Sequence, residues 1–300
     1  MKTADAIRWS NARYHDLAAA RYDAKWGITY DGVGQTQVTR KLRKALGRAP
    51  GRYGRALEVG AGTGYFGINL VLAGVVGELV ATDISSGMLR TLSRSAADLG
   101  LEVETVRCEA SALPFADGSF DLVFGHAVLH HLPDLDVSFR EFRRVLRPGG
   151  EIAFCGEPSR LGDGLAALPK RGALAFAPLW RALIGARSRP TWNGAGPTEE
   201  EVLERVVDVH AFTPGALYAP AHAAGFERVR VRGEDLMAGL FGWANRTFES
   251  TAEPDAVPWA WRVYAHRGYL ALQALDRTLL EPRLPAGLFY NLLVSGRAPG

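Results

Sequence analysis

Three glycines spaced two residues apart, Gly60, Gly62 and Gly64, directly follow a short apolar run that contains Glu58. Glycine has no Cβ, so it adopts positive φ and lets the backbone approach a ligand closely where a strand bends into a helix. This arrangement predicts a nucleotide-binding turn. The window 62–67 also fits the dinucleotide fingerprint G-x-G-x-x-G. The glycines alone therefore leave a nicotinamide or flavin enzyme open.

Acidic residues end the next two predicted strands. Asp83 lies nineteen residues after Gly64, where a carboxylate can accept hydrogen bonds from both hydroxyls of a bound ribose. Glu109 follows the third predicted strand and is placed to accept from an adenine amino group. The alternative for Asp83 is a simple cap on the following helix.

Three histidines, His126, His130 and His131, cluster after the fourth predicted strand. A histidine there can remove a proton from an acceptor near neutral pH, so all three are candidate catalytic bases. The alternative is a structural role. No Cys/His spacing or HExxH segment typical of a metal site is present, so we predict no metal. We interpret the two cysteines, Cys108 and Cys155, as reduced structural thiols.

The elements that must position these residues alternate between short apolar runs and longer helical patterns, which is typical of a parallel α/β sheet. Asp136 is a predicted helix N-cap, and the Arg-Pro-Gly-Gly segment 147–150 ends that helix. The predicted strands cover 55–60, 78–83, 102–107, 120–125 and 150–155, with helices over 65–74, 86–99 and 136–146. Later strands are predicted at 226–232 and 288–295, after a helix over 216–224.

Together these patterns predict an α/β fold with a doubly wound, Rossmann-like, mostly parallel seven-stranded sheet. In such sheets ligands bind at the carboxyl ends of the strands. Residues 1–50 form a predicted helical arm over the site, and 51–300 form the main domain. Helical insertions at about 157–212 and 234–286 are predicted to cap the substrate, and Thr198 begins a helix because acidic residues follow it.

Composition narrows the function. The 300-residue chain is 47% hydrophobic and 22% charged, which suits one large core or two modest ones. Its net charge is +3 and its basic residues are scattered, so we expect no nucleic-acid partner. No uninterrupted apolar run reaches about eighteen residues and the start lacks an apolar signal core. We expect a cytoplasmic protein without a membrane partner.

Six segments in a fixed order across roughly 55–155 resemble the class I S-adenosylmethionine-dependent methyltransferases. The similarity is greatest to the bacterial branch that includes ubiquinone- and menaquinone-biosynthesis enzymes and many small-molecule methyltransferases. The segments are the glycine turn 57–64, Asp83, Glu109-Ala110 with 113–115, 119–123, 128–132 and 146–150. The family usually has Asp where this chain has Glu58 and Glu109.

The resemblance implies S-adenosyl-L-methionine as cofactor and gives roles to single residues. Glu58 and Gly60 would hold its methionine end, with Ala61, Gly62 and Gly64 shaping the turn beneath it. Asp83 would bind the ribose, Ile84 and Met88 would enclose adenine, and Glu109 and Ala110 would contact the adenine edge. His126 would lie beside the sulfonium, and Tyr14 and Tyr22 of the arm would fold over the cofactor.

The same resemblance implies methyl transfer by in-line displacement to a small molecule. The insertions are rich in aromatic residues, which favours a hydrophobic or aromatic acceptor; the alternative is that these aromatics form the core of the insertions or a dimer interface. We expect a monomer or homodimer. Two alternatives stay open at this point: an NAD(P)- or flavin-dependent oxidoreductase, and a non-catalytic protein that binds S-adenosylmethionine.

Overall fold

The structure is a computed structural model that describes residues 3–189, 198–207 and 210–300. Within these residues, seven strands form one sheet in the order β3-β2-β1-β4-β5-β7-β6. The strands are β1 (Tyr53–Val59), β2 (Val76–Asp83), β3 (Glu104–Arg107), β4 (Phe120–His126), β5 (Leu146–Pro158), β6 (Glu227–Glu234) and β7 (Asn291–Arg297). The doubly wound sheet predicted from the sequence is confirmed, and each predicted strand overlaps an observed one.

The sheet changes direction of winding beside β1. This strand pairs in parallel with β2 on one side and with β4 on the other, and β2–β3 and β4–β5 are parallel as well. The chain therefore winds from β1 to β3 towards one edge and from β4 onwards towards the other. The carboxyl ends of β1 and β4 meet at this switch, where such sheets bind their ligands.

Helices precede and connect the strands. They are α1 (Ala4–Ala18), α2 (Tyr22–Trp26), α3 (Gly32–Leu46), α4 (Tyr65–Leu72), α5 (Ser86–Asp98), α6 (Leu135–Val145), α7 (Arg160–Ile184), α8 (Glu199–Val206), α9 (Pro214–Ala223), α10 (Met237–Ser250) and α11 (Trp259–Leu275). The predicted starts of α8 and α4 are confirmed: the Thr198 side chain caps α8 and forms a capping box with Glu201.

The predicted N-cap of α6 is wrong by two residues. The helix begins at Leu135, so Asp136 lies in its first turn, and Asp134 is the cap because its side chain accepts from the Val137 N–H at 3.0 Å. Asp134 has the extended backbone, with φ −143° and ψ 106°, that an N-cap requires. Asp136 still favours the helix electrostatically, because a negative charge in the first turn opposes the positive end of the dipole.

Side chains alternate across the sheet and give each face its own core. Ala153 and Cys155 of β5 pack with Leu42 of α3 and Phe66 of α4, whereas Phe154 stacks on Phe142 of α6 at 4.9 Å between ring centroids. These side chains are fully or almost fully buried, and each large one contributes about 1.5–3 kcal/mol by leaving water. β5 is thus packed against α3 and α4 on one face of the sheet and against α6 on the other.

The described chain contains two compact units. The first comprises Met1–Glu157, Thr198–Arg232 and Leu293–Gly300, and it holds every residue of the candidate cofactor site. The second comprises Pro158–Pro197 and Gly233–Leu292. Within the second unit, α10 packs against α7 and α11.

Aromatic residues of the second unit divide into two groups. Trp180 stacks on Phe248 at 5.3 Å and meets Trp261 edge-on at 5.2 Å, so these three build the unit's own core. Trp259 and Phe176 are 77% and 63% exposed. Trp192, another aromatic residue of the first insertion, lies outside the described residues. None of the helices in the described part of the chain has the length and hydrophobicity needed to cross a bilayer.

Candidate cofactor and acceptor site

The glycine turn leaves β1 with three residues in the left-handed region: φ is 63° at Gly60, 54° at Gly62 and 98° at Gly64. A Cβ on Gly60 would lie 2.2 Å from a Val128 methyl group, so only glycine fits there. A Cβ on Gly62 would meet no atom within 4 Å. The turn therefore presents an open backbone surface at Gly62. Ala61 is buried, and its N–H donates to the Thr82 carbonyl at 2.9 Å, which ties the turn to β2.

Glu58 places a buried carboxyl group directly beneath this turn. Its Oε1 accepts from the Gly67 N–H at 3.1 Å, while Oε2 has no hydrogen-bond partner among the described residues. Burial raises the pKa of Glu58 to about 8; the nearby Asp83 charge adds to the rise and the Gly67 N–H opposes it. Glu58 is thus a protonated acid at neutral pH that lacks a partner for one oxygen.

The Asp83 side chain links the glycine turn after β1 to the residues that follow β2. One of its oxygens accepts from the Gly62 N–H at 2.9 Å and the other from the Ser85 N–H at 2.8 Å. Burial raises the pKa of the Asp83 carboxyl, although the nearby His15 ring and the backbone N–H groups lower it. The alternative that Asp83 caps the following helix is wrong: Ser85 is the N-cap of α5, and its side chain accepts from the Met88 N–H.

The predicted adenine residues follow β2 and β3. Met88 is fully buried and Ala110 nearly so, whereas Ile84 is half-buried. The Glu109 carboxylate lies 2.7 Å from the Arg8 guanidinium of α1. The structure thus brings the arm against the residue that the sequence assigns to the adenine edge.

The three candidate histidines lie at the carboxyl end of β4. His126 is the last residue of the strand, with its ring 5.5 Å from Phe66 and 5.4 Å from Tyr65 between centroids. His130 and His131 follow in a short helical turn, Leu129–His131, and their rings are 4.1 Å apart. The structure therefore places all three histidines at or just after the end of β4, with the His130 and His131 rings in contact.

Glu157 is a residue of this edge that sequence reasoning missed. It lies near the end of β5 and is fully buried. Its carboxylate is 2.8 Å from His130 Nδ1 and also accepts from backbone N–H groups of the turn after β4. The sequence feature that could have identified it is an acidic residue near the end of a predicted strand, as Asp83 is at the end of β2.

The arm contacts the site through residues other than those predicted. Asp16 accepts from the Ser85 hydroxyl and the Gly87 N–H, each at 2.6 Å. Tyr30 donates to the Thr63 carbonyl at 2.8 Å. These contacts hold the arm on the glycine turn and on the first turn of α5.

The predicted arm tyrosines pack against α8. Tyr14 is buried with Ala18 and Leu203, and Tyr22 packs on this cluster. The Tyr14 hydroxyl lies 3.2 Å from Lys25 Nζ and 3.4 Å from a Glu204 oxygen. The contact of Tyr14 and Tyr22 with the cofactor stays a prediction.

Comparison with known proteins identifies the family. A model of the family described as "Methyltransferase domain" matches residues 57–154. A demethylmenaquinone methyltransferase of Parafrankia sp. is 36% identical over 78% of this chain and 88% of its own length. The chain belongs to the S-adenosylmethionine-dependent methyltransferases.

Two further similarities agree with this membership. A malonyl-[acyl-carrier protein] O-methyltransferase of Methylococcus capsulatus is 42% identical over 132 residues, which span 42% of this chain and only 46% of that relative. A phosphoethanolamine N-methyltransferase of Haemonchus contortus, solved with S-adenosylhomocysteine, superposes with a TM-score of 0.59 at 16% identity. This superposition covers 100% of this chain and 61% of that one, and it shows a shared fold.

S-adenosylmethionine is the cofactor of this methyltransferase family, and the residues present fit it. The cofactor combines a ribose with an amino acid that carries an ammonium group. Gly62 offers open backbone surface, Asp83 offers acceptor oxygens at the end of β2, and Glu58 offers a buried carboxyl oxygen without a partner among the described residues. The findings support a methyltransferase and neither alternative, the oxidoreductase or the non-catalytic protein. Across the described ranges, no group of three or more His, Cys, Asp or Glu side chains is arranged to hold a metal ion.

Proposed function

We propose that this methyltransferase transfers the methyl group of S-adenosylmethionine to a small hydrophobic or aromatic metabolite. The observation that carries the proposal is the Gly62–Asp83 hydrogen bond, which joins the glycine turn to the end of β2. The arm residue Asp16 contacts Ser85, two residues after Asp83. This arrangement provides a surface that can bind a nucleoside, and the histidines at the end of β4 lie on its other side.

The proposal gives each residue of the site a role towards the cofactor, as the family resemblance implies. Glu58 and Gly60 hold the methionine end, with Ala61, Gly62 and Gly64 forming the turn. The ribose binds Asp83. The adenine lies between Ile84 and Met88 with its edge towards Glu109 and Ala110, His126 flanks the sulfonium, and Tyr14 and Tyr22 stabilise the arm above it.

Bound S-adenosylmethionine supplies an activated methyl group. The task of the protein is to hold an acceptor atom in line with that group and to exclude water. Alignment of this kind reaches effective molarities of about 10⁵ M, which corresponds to roughly 7 kcal/mol of the barrier. Where the acceptor must lose a proton, a histidine base adds about 10²-fold or more, and His126, His130 and His131 are the candidates.

We infer the acceptor class from the relatives and from the second unit. One relative is named for demethylmenaquinone, a ring-bearing acceptor, and another for a malonyl group on a carrier protein. Exposed aromatic residues of the insertions, Phe176, Trp259 and Tyr264, are suited to contact an apolar ring. The insertions at about 157–212 and 234–286 thus determine acceptor selectivity, and the arm 1–50 covers the cofactor.

Calorimetry and methyl transfer test the proposal. The purified chain is expected to bind S-adenosylhomocysteine and to transfer tritium from methyl-labelled S-adenosylmethionine to members of a panel of phenols, quinols and carboxylic acids. NAD⁺ and NADP⁺ serve as the control ligands. A folded chain that ignores S-adenosylhomocysteine contradicts the proposal, and binding without any labelled product contradicts its catalytic part.

We also propose a cytoplasmic monomer or homodimer without a nucleic-acid partner. Light scattering after size exclusion measures the mass, and a larger assembly contradicts this part. A gel-shift assay with duplex DNA and single-stranded RNA tests the second part.

A further inference from the structure

The carboxylate of Glu157 is surrounded by donors. Oε1 accepts from the Val128 and Leu129 N–H groups, each at 3.0 Å, and Oε2 accepts from the His130 N–H at 3.1 Å. Its fourth contact is His130 Nδ1, at 2.8 Å from Oε2. The side chain has no exposed surface. A buried carboxylate persists when hydrogen bonds satisfy its charge, and four donors do so here.

These contacts determine which ring nitrogen of His130 has the proton. The three backbone groups are obligatory donors, so both oxygens of Glu157 act as acceptors. An acceptor oxygen at 2.8 Å from Nδ1 requires a hydrogen on that nitrogen. In the neutral ring, the lone pair then lies on Nε2.

The backbone contacts also position the ring itself. His130 belongs to the short turn Leu129–His131, in which the Leu129 and His130 N–H groups both donate to the same carboxylate. The His130 carbonyl accepts from the His210 N–H at 3.1 Å, which holds the turn from a second direction. About a tenth of the His130 side chain, 11%, stays exposed. The ring is therefore fixed and still reaches the surface.

We propose that Glu157 is the positioning residue that makes His130 the base of methyl transfer, by holding its proton on Nδ1 and leaving Nε2 free to accept another. This inference rests on the proposed function. As the acceptor atom bonds to the methyl carbon, the carbon–sulfur bond breaks with its electron pair on sulfur, and the acceptor proton moves to Nε2. The resulting imidazolium lies against the Glu157 carboxylate and later releases the proton to water.

The spectroscopic test needs no acceptor. Nitrogen NMR of the full chain with ¹⁵N-labelled histidine distinguishes the two neutral tautomers and the imidazolium, and His130→Gln assigns the signals. The expected result is a neutral His130 ring protonated on Nδ1 at mildly alkaline pH. A ring protonated on Nε2, or an imidazolium that persists there, overturns the inference.

Glu157→Gln supplies the kinetic test. A glutamine can donate to Nδ1, so the His130 ring is expected to change to the Nε2–H form, and kcat falls by about tenfold or more because the base is lost. The KM for the acceptor and the affinity for S-adenosylhomocysteine are expected to change by less than about threefold, since a loss confined to kcat marks an interaction made in the transition state. Unchanged kcat together with an Nδ1–H ring overturns the inference.

Asp276→Asn is the matched control. Asp276 is also fully buried, and its carboxylate accepts from the Met237 and Ala238 N–H groups at 3.0 and 2.9 Å. The control is expected to leave the His130 tautomer and kcat unchanged. An equal fall in kcat in both variants overturns the proposed role of Glu157, because it shows that general destabilisation is the cause.

The two proposals fail in different ways. Absence of S-adenosylhomocysteine binding contradicts the proposed function, whatever the tautomer. If the chain transfers methyl groups while its His130 ring is protonated on Nε2, the proposed function stands and this inference is overturned. If Glu157→Gln does not fold, the tautomer of the unaltered protein decides.

Discussion

Asp16 of α1 accepts a hydrogen bond from the hydroxyl of Ser85 at 2.6 Å, and Ser85 is the residue that caps α5 beside Asp83. The same Asp16 oxygen accepts from the Gly87 N–H. Although burial opposes it, these two hydrogen bonds lower the pKa of the Asp16 carboxyl. The group is therefore ionised at neutral pH, and the arm is attached to the first turn of α5 by a charged acceptor.

Removal of this acceptor should weaken cofactor binding. Hydrogen bonds to a charged group contribute about 1.5–3 kcal/mol, so Asp16→Ala is expected to reduce the affinity for S-adenosylhomocysteine by about tenfold or more in calorimetry. Asp5→Ala is the control, because Asp5 is a highly exposed acid on the same helix, and its ion pair is with Arg8, three residues away. Equal affinities for the two variants would show that the arm has no part in the site.

Asp83→Ala is expected to weaken S-adenosylhomocysteine binding by about 1–3 kcal/mol, because the variant lacks the proposed hydrogen-bond acceptor for the ribose and the Gly62 N–H loses its acceptor. Asp83→Asn should lie between this variant and the unaltered protein. Asp98→Ala changes an exposed acid at the end of α5 and should have no effect. The ribose assignment fails if Asp83→Ala binds normally while circular dichroism shows a folded chain.

Cofactor affinity should depend on pH through Glu58. Its pKa of about 8 is raised mainly by burial, so the group is protonated at neutral pH, whereas an ammonium group favours the carboxylate. Binding then releases a proton. Affinity is expected to rise by up to about tenfold per pH unit between about pH 6 and pH 8, and to level off above that range.

Calorimetry in two buffers of different ionisation enthalpy measures the released proton directly. Glu58→Gln should abolish both the release and the pH dependence, whereas Glu78→Gln, at an exposed position on β2, should keep them. An affinity that stays constant across this pH range would exclude Glu58 from the ammonium site.

Ion pairs between the arm and α8 should make cofactor release sensitive to salt. Arg13 contacts Glu199 through two hydrogen bonds of 2.7 and 2.8 Å, and Lys25 lies 2.6 Å from Glu204. Exposed pairs weaken as ionic strength rises. We expect S-adenosylhomocysteine to dissociate several-fold faster at high salt, measured by stopped-flow displacement.

Charge reversal provides the control for this prediction. At low salt, S-adenosylhomocysteine should dissociate faster from Arg13→Glu than from the unaltered protein. The double variant Arg13→Glu/Glu199→Arg should restore slow dissociation. If the double variant releases as fast as the single one, the ion pair does not hold the arm.

Local patterns in the sequence were enough to predict the central part of the fold. The glycine turn, Asp83 and the histidines each follow a buried strand directly, so the periodicity that predicts the strand also places the residue at the edge of the sheet. The error at α6 shows the limit of this approach. Asp134 and Asp136 are both suitable caps by residue type, and only the backbone conformation distinguishes them.

Contacts between distant parts of the chain could not be predicted in this way. Glu157 and His130 are separated by 27 residues, and Asp16 and Ser85 by 69. Neither pair has a spacing that a helix or strand period would select. Parallel pairing places β4 beside β5 and so brings Glu157 to His130, whereas packing of α1 against α5 brings Asp16 to Ser85.

The position of α8 also affects the order in which the site is completed during synthesis. Arg13 is separated from Glu199 by 186 residues, and Lys25 from Glu204 by 179. A ribosome-bound chain that ends after β5 therefore already has the glycine turn and Asp83, but it lacks the helix against which Tyr14 packs. We therefore expect the arm to gain its contacts with α8 only after about two thirds of the chain, up to Glu204, has been translated.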